Sequence, residues 1–256
     1  MGERARGNGL WVESGGSGSP TLLLLHGLGA NATVWDGLRP LLAQRWPGRW
    51  LTPDLRGHGR SSHRAPYSLG AHAADVAALL EQGEAVVVLG HSMGGAVAMA
   101  LASQWFGIAV RRVLAFGVKL AWTEAETAKA QEAARAPVRW FTSREEATLR
   151  YLRVAGMTGL VPPEAAAVAG GVVEEAGRFR LAADPRIGAV VGVPLDSLIA
   201  AMRAPLRLAA GERDPMVTPD QMRRFDRDAM LLGGLGHNPH VEAPERLWQL
   251  VEAALG

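Results

Sequence analysis

A serine stands at position 92 within Gly90-His91-Ser92-Met93-Gly94, where the apolar run Val86–Leu89 gives way to small residues. The types and spacing suit a nucleophile. A hydroxyl held out at the tip of a sharp turn sits on strained backbone, so the residues two positions away must lack bulky side chains. Gly90 and Gly94 meet that demand. A helix starting at Met93 adds partial positive charge beside the oxygen, which favours an anionic transition state. The bland alternative is a Gly-rich strand-to-helix turn with an incidental serine. A phosphate-binding turn is the other competitor, but neither Gly-x-Gly-x-x-Gly nor Gly-Lys-Ser/Thr occurs here.

A serine hydroxyl is a weak nucleophile at neutral pH. It needs a base, and the base needs an orienting acid. Of the seven histidines, His237 is the expected base, because it lies in GGLGHN just after a strand-like run. Loops at the C-terminal edge of a parallel sheet converge on one site. His240 reads as a surface or capping residue at the start of the last helix, and His72 as structural. The expected acid is Asp214, in GERDPMV, with an ordinary turn aspartate as its alternative. Asp54 is the rival, and its place in TPDLRGHGRS suits bonding to the N–H groups of that turn. The oxyanion of an attacked carbonyl needs two amide donors. Met93 is the expected first, and Leu28 in LLLLHGLGAN the second, with His26 bracing that loop.

Positioning these residues requires particular elements. TLLLL (21–25) and AVVVL (85–89) are short, uniformly apolar runs that fit strands buried on both faces. VRRVLAF (110–116) reads as a third strand. Helices are expected over 34–46, weakened by Gly37 and Pro40, over 68–83 with Ser68 as N-cap, and over 93–106. Strands alternating with helices imply βαβ units and a mostly parallel sheet. That rhythm breaks after Gly117. From 119 to 202 the chain offers mainly helical pieces, including a capping box at Ser143 and Glu146 and helix starts at Pro162-Pro163 and Pro194. PLRLAAGERDP (205–215) and DAMLLGGLGHN (228–238) each read as a strand running into a polar loop, and a helix over 241–256 closes the chain. Trp122, Trp140, Phe141, Tyr151 and Met157 of the insert are candidates for lining a substrate pocket, against the alternative that they pack the insert onto the core.

Several stretches together carry a resemblance: His26-Gly27-Leu28-Gly29, PDLRGHGRS (53–61), Gly90 to Gly95, Gly211-Glu212-Arg213-Asp214, and Gly236-His237 with Glu242-Ala243-Pro244-Glu245. They resemble the α/β-hydrolase superfamily, in its serine-nucleophile branch of esterases, C–C hydrolases and haloperoxidase-like proteins. The resemblance covers roughly 10–118 and 203–256. It implies an α/β fold with a mostly parallel eight-stranded central sheet flanked by helices. The core would be 1–118 and 203–256, with a helical cap inserted at 119–202. The chain order Ser92, Asp214, His237 is the one expected for this topology. Serine at the nucleophile position argues against the aspartate-dependent dehalogenases and epoxide hydrolases of the superfamily. The implied activity is a serine carboxylesterase acting on a small to medium, mostly apolar ester through an acyl-enzyme, with no metal and no organic cofactor. A C–C hydrolase or a lactonase would use the same triad. A non-catalytic ligand-binding member is the third reading, though such proteins tend to lose a triad residue.

Composition limits the partners. The chain has 256 residues, 48% hydrophobic and 20% charged, which is enough to bury a large core and unlike a disordered chain. A formal charge of +2 without a long basic run makes nucleic acid an unfavoured partner. The absence of cysteine excludes disulfides, thiolate nucleophiles and cysteine-bound zinc. The first twenty residues lack an apolar signal-peptide core, and no apolar run reaches bilayer-spanning length. A cytoplasmic protein with a small-molecule substrate is expected, without membrane insertion and compatible with a homodimer.

Overall fold

A computed structural model of the chain describes residues 3–4, 9–103 and 105–253. Strands β1 (Glu3–Arg4), β2 (Trp11–Gly15), β3 (Thr21–Leu25), β4 (Trp50–Asp54), β5 (Val86–His91) and β6 (Val110–Phe116) form the first half. They alternate with helices α1 (Arg39–Arg45), α2 (Leu69–Ala77) and α3 (Met93–Leu101). An inserted stretch supplies α4 (Glu124–Arg135), α5 (Arg144–Val154), β7 (Val172–Glu175), β8 (Arg178–Leu181) and α6 (Asp196–Ala201). The chain ends with β9 (Leu206–Gly211), α7 (Pro219–Arg223), β10 (Met230–Leu232), α8 (Pro239–Glu242) and α9 (Pro244–Glu252).

Eight strands make one sheet in the order β1-β2-β4-β3-β5-β6-β9-β10. β2 is antiparallel to both β1 and β4, and every later neighbour is parallel. The uniform apolarity of β3 follows from its central place. Leu23 and Leu25 face a core shared with Ala73, Val97 and Leu101, whereas Leu22 and Leu24 face one shared with Trp35, Leu42 and Trp248. All four leucines are fully buried, and burial of each stabilises the fold by about 1.5–3 kcal/mol. Parallel strands so covered leave their C-terminal ends, with Leu25 and His91, opening into loops along one edge. The functional residues are carried there.

Some expected boundaries shift for identifiable reasons. Ser68 does cap α2, its side chain accepting from the Ala71 amide at 3.1 Å. The helix stops at Ala77 instead of running to Gly83, because the next turns tighten into Leu79 N–H to Val76 and Leu80 N–H to Ala77 bonds. The 34–46 segment splits into a 3₁₀ turn over Ala32–Leu38 and α1, with Pro40 in the first turn, where no N–H is needed. The last helix is broken at Ala243, since Pro244 has no N–H with which to continue α8. Pro162-Pro163 opens no helix beyond a 3₁₀ turn over Ala166–Val168.

The insert also contains a feature that its helical appearance hid. β7 and β8 form an antiparallel hairpin joined by Ala176 and Gly177, both at positive φ, +49° and +73°. Two positive-φ residues are what a tight primed hairpin turn needs, and alanine there weakens the usual Asn-Gly or Asp-Gly signal. Hydrogen bonds tie the insert to the core. Asn31 Nδ2 donates to Tyr151 Oη at 3.0 Å, Thr33 Oγ1 to the Ala169 carbonyl at 2.8 Å, and Tyr67 Oη to Asp184 at 2.8 Å. Among the described residues, no helix is long and apolar enough to cross a membrane.

Candidate active site

The turn between β5 and α3 holds Ser92 at φ +49° and ψ −116°, a backbone region costly for any residue with a side chain. The Ser92 amide donates to the Phe116 carbonyl of β6 at 2.9 Å, pinning the corner to the sheet. Ser92 occupies the N-cap of α3, yet its side chain caps nothing. The strained corner therefore leaves the hydroxyl facing a cavity instead of spending it on the helix. The turn closes tightly enough that a Cβ on Gly90 would lie 2.6 Å from the Gly94 carbonyl oxygen and the Gly95 nitrogen.

His237 and Asp214, 23 residues apart, meet across the ends of β10 and β9. The imidazole Nδ1 donates to both Asp214 oxygens at 3.0 Å, and the carboxylate is fully buried while the ring is 23% exposed. A carboxylate only accepts, so Nδ1 carries the proton and Nε2 is left with a lone pair. Asp214 is itself fixed by the Met216 amide at 2.9 Å. Ser92, His237, Leu28 and Met93 line one cavity of about 280 Å³. Among the described residues, neither the Leu28 nor the Met93 amide donates to a protein acceptor. Both are therefore available as donors to an oxyanion.

Three residues that the sequence reading gave no role hold the imidazole. His91 Nε2 donates to the His237 carbonyl at 2.9 Å. The Glu242 carboxylate accepts from the amides on either side, Gly236 at 2.8 Å and Asn238 at 3.1 Å. Asn238 Nδ2 in turn donates to the Gly156 carbonyl of the insert at 2.9 Å. The Leu28 loop has its own braces. His26 Nδ1 donates to the Gly27 carbonyl at 2.9 Å while its Nε2 accepts from the Leu55 amide, and the Gly29 amide donates to His58 Nε2 at 3.1 Å. Asp54 organises the neighbouring turn, accepting from the Ala32 amide at 2.7 Å and the Arg60 amide at 2.8 Å.

The insert's candidate pocket residues divide. Trp122 lines the cavity of Ser92, and it also lines an adjoining one together with Phe141. Tyr151 and Met157, 1% and 0% exposed, belong to the apolar core beside Trp35 and line neither cavity. Trp140 lies outside both, under the Arg178 guanidinium at 4.6 Å. Tyr151 and Met157 thus pack the insert onto the core, whereas Trp140 belongs to neither core cluster. His240 is also not at the surface. It is 1% exposed, between His91, Trp35 and Phe116.

Burial lowers the pKa of the buried histidines His26, His58, His91 and His240. It lowers His26 to about 4, opposed by the Gly27 carbonyl bond and the Asp54 charge. It lowers His240 to about 3, helped by repulsion from His237 and His26, and holds His58 and His91 well below their ordinary value. In the unfolded chain these groups titrate near 6.5. Below that pH the unfolded state binds protons that the folded state refuses. The stability they support is therefore complete above pH 6.5 and is lost as pH falls toward 4 and 3. By pH 5, His26 and His240 each cost on the order of 2 kcal/mol. Thermal unfolding at pH 7.5 and pH 5.0 should show Tm lower by about 10 °C at the acid end. An unchanged Tm would mean that these rings are not held neutral.

Comparison with known proteins agrees with this architecture. Residues 22–250 match the alpha/beta hydrolase family, and the chain belongs to that family. The lipase LipV of Mycobacterium tuberculosis is 44% identical over 91 residues, which is 35% of this chain and 34% of LipV. A pimeloyl-[acyl-carrier protein] methyl ester esterase of Klebsiella pneumoniae is 43% identical over 96 residues, 37% of this chain and 35% of that enzyme. The matched part of the chain thus spans about a third of the length of these curated relatives. The crystal structure of a novel esterase from Mycobacterium tuberculosis superposes with a TM-score of 0.75 at 23% identity, covering all of this chain and 90% of that one. At that identity the likeness speaks for the fold. Family membership and the esterase- and lipase-named relatives support a hydrolase.

Proposed function

We propose that this hydrolase is a serine carboxylesterase for small to medium, mostly apolar esters. The reading rests on one observation: the His237 ring, its Nδ1 committed to Asp214, shares a cavity with a serine whose hydroxyl caps no helix. His237 Nε2 takes the Ser92 proton as Oγ adds to the ester carbonyl. The Leu28 and Met93 amides donate to the resulting oxyanion, and Asp214 steadies the imidazolium. The C–O bond to the alcohol breaks, and the alkoxide leaves with the proton from His237. Water then adds to the acyl-Ser92 carbonyl, giving its proton to His237, and the acid departs as Ser92 recovers its hydrogen. Each cycle consumes one ester and one water and yields one acid and one alcohol.

The cavity walls favour an uncharged reacting end. Val118, Trp122, Val154, Val190 and Met216 are apolar, and the one lysine lining the cavity, Lys119, is paired with Glu126 at 2.6 Å. A fluorophosphonate probe should label the protein stoichiometrically at Ser92, and p-nitrophenyl esters of graded chain length should be turned over with an optimum at short to medium chains. Labelling without turnover of any ester would move the same chemistry to a lactone or a vinylogous diketone. Absence of labelling would refute the serine mechanism.

A further inference from the structure

Behind Leu28, Trp122, Val154 and Val191 lies a second cavity of about 450 Å³, which shares those four residues as a wall with the cavity of Ser92. It is an open cleft lined mostly by the insert, with small residues of α4 such as Ala130 and Ala134 on one side. Its chemistry differs from that of the first. Two arginines line it, Arg139 and Arg150. Among the described residues, neither meets a carboxylate within ion-pair distance. The Arg139 guanidinium lies over the Phe141 ring at 5.0 Å, which leaves the N–H groups around its edge free to donate. Arg139 is exposed, whereas Arg150 is half-buried on α5 and has no hydrogen-bond or ion-pair partner among the described residues.

Among the described residues none of the nearby carboxylates comes within ion-pair distance of either arginine, and three of the four are paired with other guanidinium groups. Glu174 pairs with Arg144 at 3.5 Å, and Glu175 pairs with Arg180. Glu146, one turn before Arg150, accepts from the Thr142 hydroxyl at 3.2 Å. Asp184 also lines the cavity, but its oxygens take the Tyr67 hydroxyl and the amide and guanidinium of Arg186. Two arginines thus stand at the second cavity without an ion pair among the described residues, Arg139 exposed at its rim and Arg150 half-buried, beside mostly apolar walls. A guanidinium left without an anion in a partly desolvated pocket is complementary to a carboxylate, which it can bind through two parallel N–H bonds.

We propose that this second cavity is an anion subsite. The substrate is then an ester whose acyl chain ends in a free carboxylate, held by Arg139 and Arg150 while the ester carbonyl sits at Ser92. The class is the half-ester of a medium-length dicarboxylic acid. This rests on the esterase reading and adds its specificity determinant. The apolar walls between the two ends contact the methylene chain. The shared wall sets its length, since a short chain cannot bring its carboxylate past Leu28 and Trp122.

The test compares p-nitrophenyl monoesters of linear dicarboxylic acids with p-nitrophenyl esters of neutral acids of equal length. The ratio of kcat/KM, acid-terminated over neutral, should rise with chain length and exceed about tenfold at its maximum. Arg150→Gln and Arg139→Gln should each cut that maximum at least about fivefold and leave the neutral ester within about twofold. Among the described residues neither arginine has a carboxylate partner to orphan, so both variants should fold with unchanged Tm. A wild-type ratio below one at every length, or a ratio that both substitutions leave unchanged, would overturn the subsite. Turnover of the neutral ester keeps this outcome separate from failure of the esterase reading. If no ester turns over, calorimetry on Ser92→Ala with suberic acid monomethyl ester still decides. Binding should weaken about tenfold on adding Arg150→Gln, and equal affinities would sink the proposal.

Discussion

Ser92→Ala should lose ester hydrolysis almost completely, with kcat falling by about 10⁴-fold or more, while the melting temperature stays within a degree or two of the parent. Both halves follow from the corner. The hydroxyl makes no cap and carries no recorded structural bond, so its removal orphans nothing. Alanine and serine each carry a Cβ and meet the same strain at φ +49°, which leaves the folded state as it was. The chemistry, in contrast, has no substitute nucleophile. His237 remains bonded to Asp214 in the variant, and the Leu28 and Met93 amides still line the cavity, so a small residual rate over water is expected from them. Activity is read with p-nitrophenyl esters and the fold by thermal melting. Fluorophosphonate labelling should vanish with the rate. Retention of more than a few per cent of the activity would place the nucleophile elsewhere.

What the sequence discloses and what it hides have different physical origins. Ser92, Asp214 and His237 stand out because each follows a strand-like run in a loop rich in glycine or proline, and in a parallel sheet such loops share one edge. Position along the chain is enough to single them out as candidates. The supports of those residues are not legible in the same way. His91 acts on His237 across 146 residues, and only the assembled sheet brings β5 under the loop after β10. Glu242 is a common surface type until the chain folds and its oxygens reach the two amides flanking His237. Tyr151 and Met157 show the opposite error. An aromatic or flexible apolar residue in an insert is equally suited to a pocket wall or to a core, and which it becomes depends on the helix rotation that packing selects. Arg150 was hidden for a similar reason. An arginine on a charged helix reads as a solvated face, and only the folded structure shows that this one lines a cavity beside α5.

Gly94→Ala should be a severely damaging single-methyl change at the site. Gly94 is the second residue of α3, where helix propensity alone favours alanine by up to about 1 kcal/mol. Contact decides otherwise. A Cβ there would lie 2.2 Å from the Leu25 carbonyl oxygen, 2.5 Å from the Leu25 carbonyl carbon and 2.7 Å from the His26 oxygen. These are backbone atoms at the end of β3, bonded between β4 and β5, so no rotamer change relieves the clash. Either α3 or the end of β3 must shift. Overpacking of this kind costs about 3 kcal/mol, enough to lower Tm by about 10 °C in a chain of this size. The same shift moves Leu28, two residues beyond His26, relative to Met93 on α3. With the two amides no longer positioned together, the surviving folded protein should hydrolyse esters about 10²-fold more slowly, with the larger part of the loss in kcat. Gly70→Ala is the contrast. It lies exposed in the first turn of α2 with only the Ser68 hydroxyl within reach at 4.0 Å, and it should leave Tm unchanged or slightly raised. Equal behaviour of the two variants would mean that α3 does not press on the Leu28 loop, and the coupling between the serine corner and the oxyanion donors would have to be abandoned.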